Sequence, residues 1–504
     1  MTRLSHHTLS QLDFTQALKE EIEWQSDLIP KQVIDLALSG DGVDAADYAD
    51  YIEGLTTTGT HAPRADLINA IKWRNGRRPV HVMPIHERTL YRAVVNLLNE
   101  DLPPMDRSSE AYESFDLAPT RESDAQFVIK TDIANYFSSI DHELMSEEIV
   151  SRTGRSEISS YLCEFWRSML NRSVGIPQMS EPSKVLSELL VDNLHRRLIR
   201  KGFRVWRYAD DFRIAARSRQ ESIAALDAIH EESRRMGLCL NDWKTHLLSM
   251  DKYNQFINED KAKEEDARAS ALHSLMSWNP YIDEVEIPGE DEVYVEAAEA
   301  LLREWRDEVA DAIIEHSGLL QRHKLIRNAL SVLETFKEGI GLQFLQDILL
   351  REPQLTPAVF RYVRALGSAL PDTAASVCSK IAQSGILNRW QQLWLAWSLQ
   401  TADFAANRAV ENSTDLRHSL NSLLQDSSEI VRGQACLTLA INGSLGKADW
   451  AAVYESCTTL GSPYSAAALP GVRGIEEVER KRLSPTSKLD IVAMHWGAGC
   501  IASK

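Results

Sequence analysis

Paired cysteines are missing from this chain of 504 residues: Cys163, Cys239, Cys378, Cys436, Cys457 and Cys500 stand singly, with no C-x-x-C spacing. That pattern disfavours a disulfide framework and a structural zinc site and leaves reduced thiols as the expectation. Long apolar runs are missing too. None approaches the ~20 residues that span a bilayer, and the opening Met1-Thr-Arg-Leu-Ser-His-His lacks the apolar stretch of a secretory signal. A cytoplasmic protein with no membrane partner is expected. An excess of positive charge is also lacking. The formal net charge is −18, from 55 basic and 73 acidic residues, and taken whole it argues against a nucleic-acid partner.

The distribution of charge changes that inference. Residues 1–60 hold 3 basic and 11 acidic residues, 61–250 hold 27 of each, and 251–504 hold 25 and 35, so the acidic excess is confined to the flanks. Of the 27 basic residues in the middle stretch 22 are arginine, the side chain whose planar fork suits phosphate. A locally positive surface is compatible with an acidic total.

The same three stretches differ in texture, which suggests 1–60 as an N-terminal helical extension, 61–250 as a mixed α/β region and 251–504 as an all-α region. The first reads as helices over Leu9–Ile29 and Pro30–Leu38, followed by an exposed acidic segment, Asp41-Gly-Val-Asp-Ala-Ala-Asp-Tyr-Ala-Asp-Tyr, in which Tyr48 and Tyr51 stand out. In the second, Arg77-Arg-Pro-Val-His-Val-Met-Pro looks extended. His86–Leu102 then reads as a helix with Leu90, Ala93, Val94, Leu97 and Leu98 on one face. The third is broken at Gly318, Gly339, Pro353, Pro371, Gly385 and Gly443 into units of one or two helices. Its segment Ser427-Ser-Glu-Ile-Val-Arg-Gly-Gln-Ala-Cys-Leu-Thr-Leu-Ala resembles the second helix of a HEAT repeat, with Ile430, Ala435, Leu437 and Leu439 for stacking on neighbours. His6, His7, His81 and His86 lack metal-ligand spacing and read as surface or fold residues.

Chemistry enters at Phe127-Val-Ile-Lys-Thr-Asp-Ile-Ala-Asn-Tyr-Phe, a short apolar strand ending in Asp132. An acid at a strand end is ordinarily a cap or a turn residue. Further on, Phe203-Arg-Val-Trp-Arg-Tyr-Ala-Asp-Asp-Phe-Arg-Ile-Ala-Ala-Arg alternates about Ala209-Asp210-Asp211, the pattern of a β-hairpin with two adjacent carboxylates at its tip. Acids brought beside a third carboxylate make sense as oxygen donors for a hard cation such as Mg²⁺.

These two segments resemble motifs A and C of reverse transcriptases, with Tyr208-Ala-Asp-Asp as the Y-x-D-D turn. Between them Gly175-Ile-Pro-Gln-Met-Ser-Glu-Pro-Ser is similar to motif B and runs into a helix with Val185, Leu186, Leu189, Leu190 and Leu194 as its buried stripe. After a helix over Ser222–Met236, stopped at Gly237, comes Leu240-Asn-Asp-Trp-Lys-Thr, similar to the L-N-x-x-K-T of motif D. The resemblance implies an α+β reverse-transcriptase fingers and palm, the fold of a right-hand polymerase, followed by the all-α HEAT-like helical region. It implies Asp132, Asp210 and Asp211 as carboxylates for two Mg²⁺ ions, with Mn²⁺ as a substitute. In such a site the metals activate an attacking hydroxyl and stabilise the leaving pyrophosphate. It implies Phe137 as the aromatic under the sugar, Gln178 near the incoming nucleotide, Lys244 near the pyrophosphate, and Arg74, Arg77 and Arg78 in the region that grips the triphosphate.

The chain also departs from that pattern. Met179 replaces the glycine of motif B, crowding a place where backbone should pass close to nucleotide or template, and neither a primer grip after Met250 nor a basic thumb is recognisable. An acidic helical half suits a long duplex poorly, because Lys and Arg drive phosphate binding. A reverse-transcriptase palm joined to a helical-repeat region is similar to the Abi (abortive-infection, AbiK-like) polymerases among the phage-defence reverse transcriptases. That resemblance implies template-independent DNA synthesis from deoxynucleoside triphosphates in antiphage defence. It further implies a protein hydroxyl as primer, single-stranded DNA left covalently on the enzyme, a homo-oligomer (trimer or hexamer), and a phage-derived trigger. Tyr48 and Tyr51 are the priming candidates. The alternatives are an RNA-templated reverse transcriptase of retron or group II intron type, and a non-catalytic helical-repeat scaffold that keeps a relic polymerase fold.

Overall fold

Six strands form among the described residues: β1 (Asp66–Ile71), β2 (Arg77–Val82), β3 (Phe127–Asp132), β4 (Arg204–Tyr208), β5 (Asp211–Ala216) and β6 (His246–Ser249). The computed structural model describes residues 4–24, 26–58, 64–72, 76–257, 290–311 and 319–502. The chain gathers into two units that interleave along the sequence. One holds Met1–Ala17, Leu55–Ala65 and His86–Lys263, and the other holds Leu18–Gly54, Asp66–Ile85 and Glu264–Lys504. Where the sequence suggests divisions at 60 and 250, the chain passes between the units several times.

The first unit is built on an antiparallel sheet in the order β4-β5-β3-β6. Val128, Ile129, Phe212 and Ile214 are buried in it, and the helices Glu181–Arg200 and Arg219–Arg235 pack on its strands. Pro182 sits in the first turn of the former helix, where its missing N–H costs nothing, and Leu186, Leu189, Leu190 and Leu194 are buried as expected. Val185 of the predicted stripe is only half-buried. The latter helix starts three residues earlier than the sequence suggests, because Ser218 Oγ accepts the Glu221 amide at 3.1 Å as its N-cap. Gly237, in the left-handed region at φ +69°, follows its end. The helix expected over His86–Leu102 runs Ile85–Asn96, and Leu97 and Leu98 fall in the turn beyond it.

In the second unit the β1–β2 hairpin accompanies the C-terminal helices. Leu319–Phe336, Thr356–Leu366, Arg389–Ser398, Glu429–Ile441, Ser462–Ala468 and Lys488–Ala502 each pack on the next, and Val33–Leu38 packs on the last. A partial second row, Pro371–Gln383 against Thr414–Leu423, lies on this first row through Glu429–Ile441. This is helix-pair stacking, in which each helix buries its apolar face on neighbours along the stack. Ile430, Ala435, Leu437 and Leu439 are all buried, at 2% exposure or less. Segments distant in sequence fasten the stack: Asp66 Oδ2 accepts from Ser428 Oγ at 2.7 Å and from the Ile430 amide at 3.1 Å, at the start of Glu429–Ile441. The indole N–H groups of Trp390 and Trp394 both donate to Leu28 O.

Close approach of the last two helices requires Gly497, since a Cβ there would lie 2.1 Å from Ala467 O. Gly497→Ala is therefore expected to destabilise this unit by about 1–3 kcal/mol, read as a lowered urea midpoint. No described helix is long and apolar enough to cross a membrane.

The N-terminal reading needs two corrections. The helix expected over Leu9–Ile29 is two helices, His6–Leu9 and Phe14–Glu23, because Asp13 turns its carboxylate onto the Gln16 amide at 2.8 Å and restarts the helix. Tyr48 and Tyr51, read as part of an exposed segment, lie on the helix Ala45–Thr58 and are half-buried. The Lys488 ammonium sits 5.0 Å from the centre of the Tyr48 ring.

Candidate active site

Antiparallel pairing of β3 with β5 sets Asp132 directly opposite Asp211. Residues opposite one another share a face of the sheet, so the register alone puts these two carboxylates side by side. Tyr208 is opposite Asp211 across β4–β5, which leaves Ala209-Asp210 as a two-residue turn. Ala209 takes φ +55° in that turn, a conformation that costs an L-residue about 1–2 kcal/mol. The Asp210 carbonyl accepts the Ile133 amide at 3.1 Å, tying the hairpin tip to the end of β3. Register and turn thus bring Asp132, Asp210 and Asp211 to the same end of the sheet.

Motif D closes the site from the other side of β3. The Asn241 amide donates to Asp132 O at 2.9 Å, Ala134 N donates to Cys239 O at 2.8 Å, and the Thr131 and Thr245 hydroxyls meet at 2.7 Å. These contacts hold the short turn Asp242–Lys244 in place. Lys244 Nζ lies 2.5 Å from Asp132 Oδ2.

The electrostatics are those of a site short of positive charge. Desolvation by burial pushes the Asp211 carboxyl up to about 6, with repulsion from Asp210 and Asp132 adding to it and Arg213 opposing it. Burial and the Asp132 charge raise Asp210 as well. Partial burial works against the Lys244 ammonium, yet its bond to Asp132 and the neighbouring acids leave its pKa above the ordinary lysine value. Asp132 is 6% exposed, and its Oδ1 is buried with no hydrogen-bond partner. An unpartnered buried carboxylate oxygen beside two further acids fits a divalent cation. Among the described residues no three side chains of His, Cys, Asp or Glu are so placed that they would by themselves hold a metal ion. Mg²⁺ keeps several waters and binds through one or two carboxylates plus substrate phosphates.

Motif B docks on the segment after β3. Gly175 donates to Ile140 O at 2.6 Å, and Ile176 donates to Phe137 O at 2.9 Å. A Cβ on Gly175, at φ +90°, would meet Ser138 O at 3.2 Å and the Arg172 side chain at 3.0 Å, so only glycine fits. Phe137 is half-buried, edge-on to Tyr136 with ring centres 5.7 Å apart. Gln178 is half-buried at the end of the same loop.

Met179, standing where the family pattern has glycine, keeps the left-handed backbone at φ +63°. Met179→Gly is accordingly expected to raise stability by about 1 kcal/mol, seen as a higher urea midpoint with an unchanged slope. Arg77 (exposed) and Arg78 (half-buried) lie on β2 in the unit that contains the hairpin, not in the unit that contains the carboxylates. Arg74 lies outside the described residues.

Supporting residues were not singled out from the sequence. Glu188, on the motif B helix and 3% exposed, bonds Arg207 Nη1 at 2.6 Å and also pairs with Arg107. Arg207 Nη1 donates in addition to Ala209 O at 3.1 Å, so the strained turn is held from the helix below. Tyr208 packs edge-on to Tyr112, with ring centres 5.1 Å apart, and lies beside Phe115. Arg213 on β5 is fully buried, with Nη2 2.7 Å and Nε 3.0 Å from Asp116 Oδ1 and Nε 3.1 Å from the Tyr253 hydroxyl. A signal existed for Glu188: a lone acid inside the apolar stripe Leu186-Ser-Glu-Leu-Leu demands a buried partner.

A sheet of this order, with converging acids at a strand end and at a hairpin tip, is the palm of a right-hand polymerase. Residues 69–273 match the family "Reverse transcriptase (RNA-dependent DNA polymerase)", and the chain carries that fold, followed by a largely helical region. No curated protein matches the chain. Among solved structures it is similar to telomerase from Candida albicans in complex with a TWJ fragment of telomeric RNA, at 10% identity and TM-score 0.30, over 67% of this chain and 64% of that one. Apo telomerase from Candida tropicalis gives 10% identity and TM-score 0.31, over 67% and 70%. The chain thus spans a little under two thirds of the Candida albicans telomerase chain.

Proposed function

We propose that the protein is a Mg²⁺-dependent DNA polymerase of reverse-transcriptase fold that adds deoxynucleotides without a template to a hydroxyl of its own, as the Abi-type resemblance implies. The observation that carries the polymerase reading is the convergence of Asp132, Asp210 and Asp211 with the buried, unpartnered Oδ1 of Asp132. Asp132 and Asp210, supported by Asp211, would hold the divalent ions. When bound, such ions lower the pKa of an attacking hydroxyl and neutralise charge on the triphosphate.

The chain's own residues supply the rest. Ala209 and Arg207 aim the hairpin tip, and Phe137 would close off the sugar 2′ side. Gln178 would orient the nucleotide, and the family resemblance alone gives Arg74, Arg77 and Arg78 to the triphosphate. As the hydroxyl oxygen bonds to the α-phosphorus and the bond to pyrophosphate breaks, Lys244 offers its charge to the departing oxygens.

The untemplated reading is supported by Met179, which puts a side chain at a place where the family pattern has glycine and passes its backbone close to nucleotide or template. A tyrosine phenol is chemically suited to prime, since it deprotonates beside a metal. Tyr48 and Tyr51 are the candidates, half-buried on one helix. Abortive infection, a homo-oligomer and a phage-derived trigger complete the proposal by the same resemblance.

The test incubates purified protein with Mg²⁺ and labelled deoxynucleotides, without primer or template, beside an Asp210→Ala, Asp211→Ala double variant. Label that survives nuclease and denaturing electrophoresis on the protein, and that the variant lacks, is the expected result; peptide mapping then identifies the primer. Extension only on a primed RNA would sink the untemplated reading and make the protein a templated reverse transcriptase. No synthesis on any substrate would leave the scaffold alternative.

A further inference from the structure

Of the ten described tryptophans, Trp243 alone is exposed, at 91%; the others are buried or half-buried. Leaving an indole in water forgoes burial of roughly 200 Å², and no intramolecular packing recovers it here. Its position is equally unusual. Trp243 sits on the turn Asp242–Lys244, one residue before the lysine whose ammonium is 2.5 Å from Asp132. The turn is not a loose tip. The Lys244 amide donates to Asn241 O at 3.0 Å, the Asn241 amide to Asp132 O at 2.9 Å, and the Thr245 and Thr131 hydroxyls join it to β3. A rigid mount beside the carboxylates therefore presents a bare aromatic face to solvent.

We infer that Trp243 is a stacking platform for an unpaired nucleobase of the nucleic acid held at this site. Every base has a π-face, so an indole holds single-stranded nucleic acid without reading its sequence, and a neighbouring cation favours the phosphates. The chemistry suits a strand that is not paired to a template: with no complementary base to hold the strand's end in register, the protein must supply the stacking surface itself. The inference rests on the polymerase reading and adds to it a residue outside the carboxylates, Lys244 and the motif B loop.

The test uses the full chain and a fluorescein-labelled, single-stranded deoxyoligonucleotide carrying one 5-iodouracil. Trp243→Ala is expected to weaken binding, by anisotropy, about ten- to a hundredfold, and Trp243→Phe to recover most of it. Melting temperature should be unchanged in both, because the side chain packs on nothing. An oligonucleotide of the same length with abasic sites should bind the wild type and Trp243→Ala equally, which a loss of charge or of fold would not produce. Irradiation should cross-link the iodouracil to the peptide containing Trp243.

Unchanged affinity in Trp243→Ala together with cross-links only elsewhere would overturn the inference and leave the polymerase reading standing, provided the wild type still synthesises DNA. A change in sedimentation of Trp243→Ala, with oligonucleotide binding intact, would overturn it in favour of a contact between copies. A wild type that neither binds the oligonucleotide nor incorporates nucleotides would instead remove the polymerase reading on which it rests.

Discussion

Replacing Asp210 and Asp211 together by asparagine is expected to make the metal-free protein more stable while abolishing nucleotide incorporation. The two effects have one cause. The carboxylates are held close in a partly desolvated site, and on the proposed reading a divalent cation would relieve that repulsion. The sign follows from the Asp211 carboxyl, raised to about 6 against an ordinary value of 3.8. A raised acid binds its proton more tightly in the folded state, so its stabilising contribution is full below about pH 4 and is lost as pH rises through 6. At pH 7.5 the ionised group costs on the order of 1–3 kcal/mol, which asparagine would remove. Differential scanning fluorimetry should show a gain of roughly 2–8 °C for the variant without Mg²⁺, shrinking as pH is lowered from 6 to 4. Mg²⁺ should raise the melting temperature of the wild type and leave the variant unmoved. Incorporation should fall about a thousandfold or more, since several kcal/mol of charge stabilisation are lost. A variant that is less stable than wild type at pH 7.5 would contradict this account of the site.

Asp116→Asn should produce the largest loss of stability from a single atom exchange. Arg213 has no exposed surface and sends two N–H groups to one Asp116 oxygen, with the Tyr253 hydroxyl at 3.1 Å and the Phe115 ring centre 4.7 Å from its guanidinium carbon. Breaking a buried pair from one side strands the other charge, at a cost of roughly 3–5 kcal/mol. Replacing both partners, as Asp116→Leu with Arg213→Met, should cost much less, because no charge is left without a partner. Urea denaturation of Asp116→Leu, Arg213→Met and their double closes the cycle, and equal losses in the singles and the double would show that the pair is not what holds β5. Since β5 begins at Asp211, synthesis should fall with the single substitution even where the protein remains folded.

Local pattern made the chemistry legible. Asp132, Asp210 and Asp211 were readable because an acid at a strand end and two at a hairpin tip are local patterns, and strand pairing then leaves little choice of where they meet. The helix Glu429–Ile441 was readable for a similar reason, as its apolar period is complete within one segment. What escaped depended on partners far away in the chain. Arg213 sits between Phe212 and Ile214 and looks like the outward residue of an alternating strand, until Asp116 closes over it. Glu188 needed Arg107, 81 residues earlier, to make sense. The short helices at the N-terminus were lost because Asp13 acts as a cap inside an otherwise helical period. Trp243 is not legible in this way, because exposure is a property of the fold and within Leu240-Asn-Asp-Trp-Lys-Thr only the lysine carries a motif.

The interleaving of the two units bears on how such a protein can be dismantled or recombined. Residues 18–54 and 66–85 precede the palm in the chain but complete the helical stack, through Leu28 under two tryptophans and Asp66 at the head of Glu429–Ile441. A cut near residue 260 would not yield a free-standing polymerase and a detachable accessory part. It would leave the N-terminal fragment carrying a hairpin and helices stripped of their apolar cover, and the C-terminal fragment lacking both of its fastenings. The helical region thus draws its segments from both sides of residues 86–263 in the chain, so a single junction would not carry it whole in an exchange by recombination.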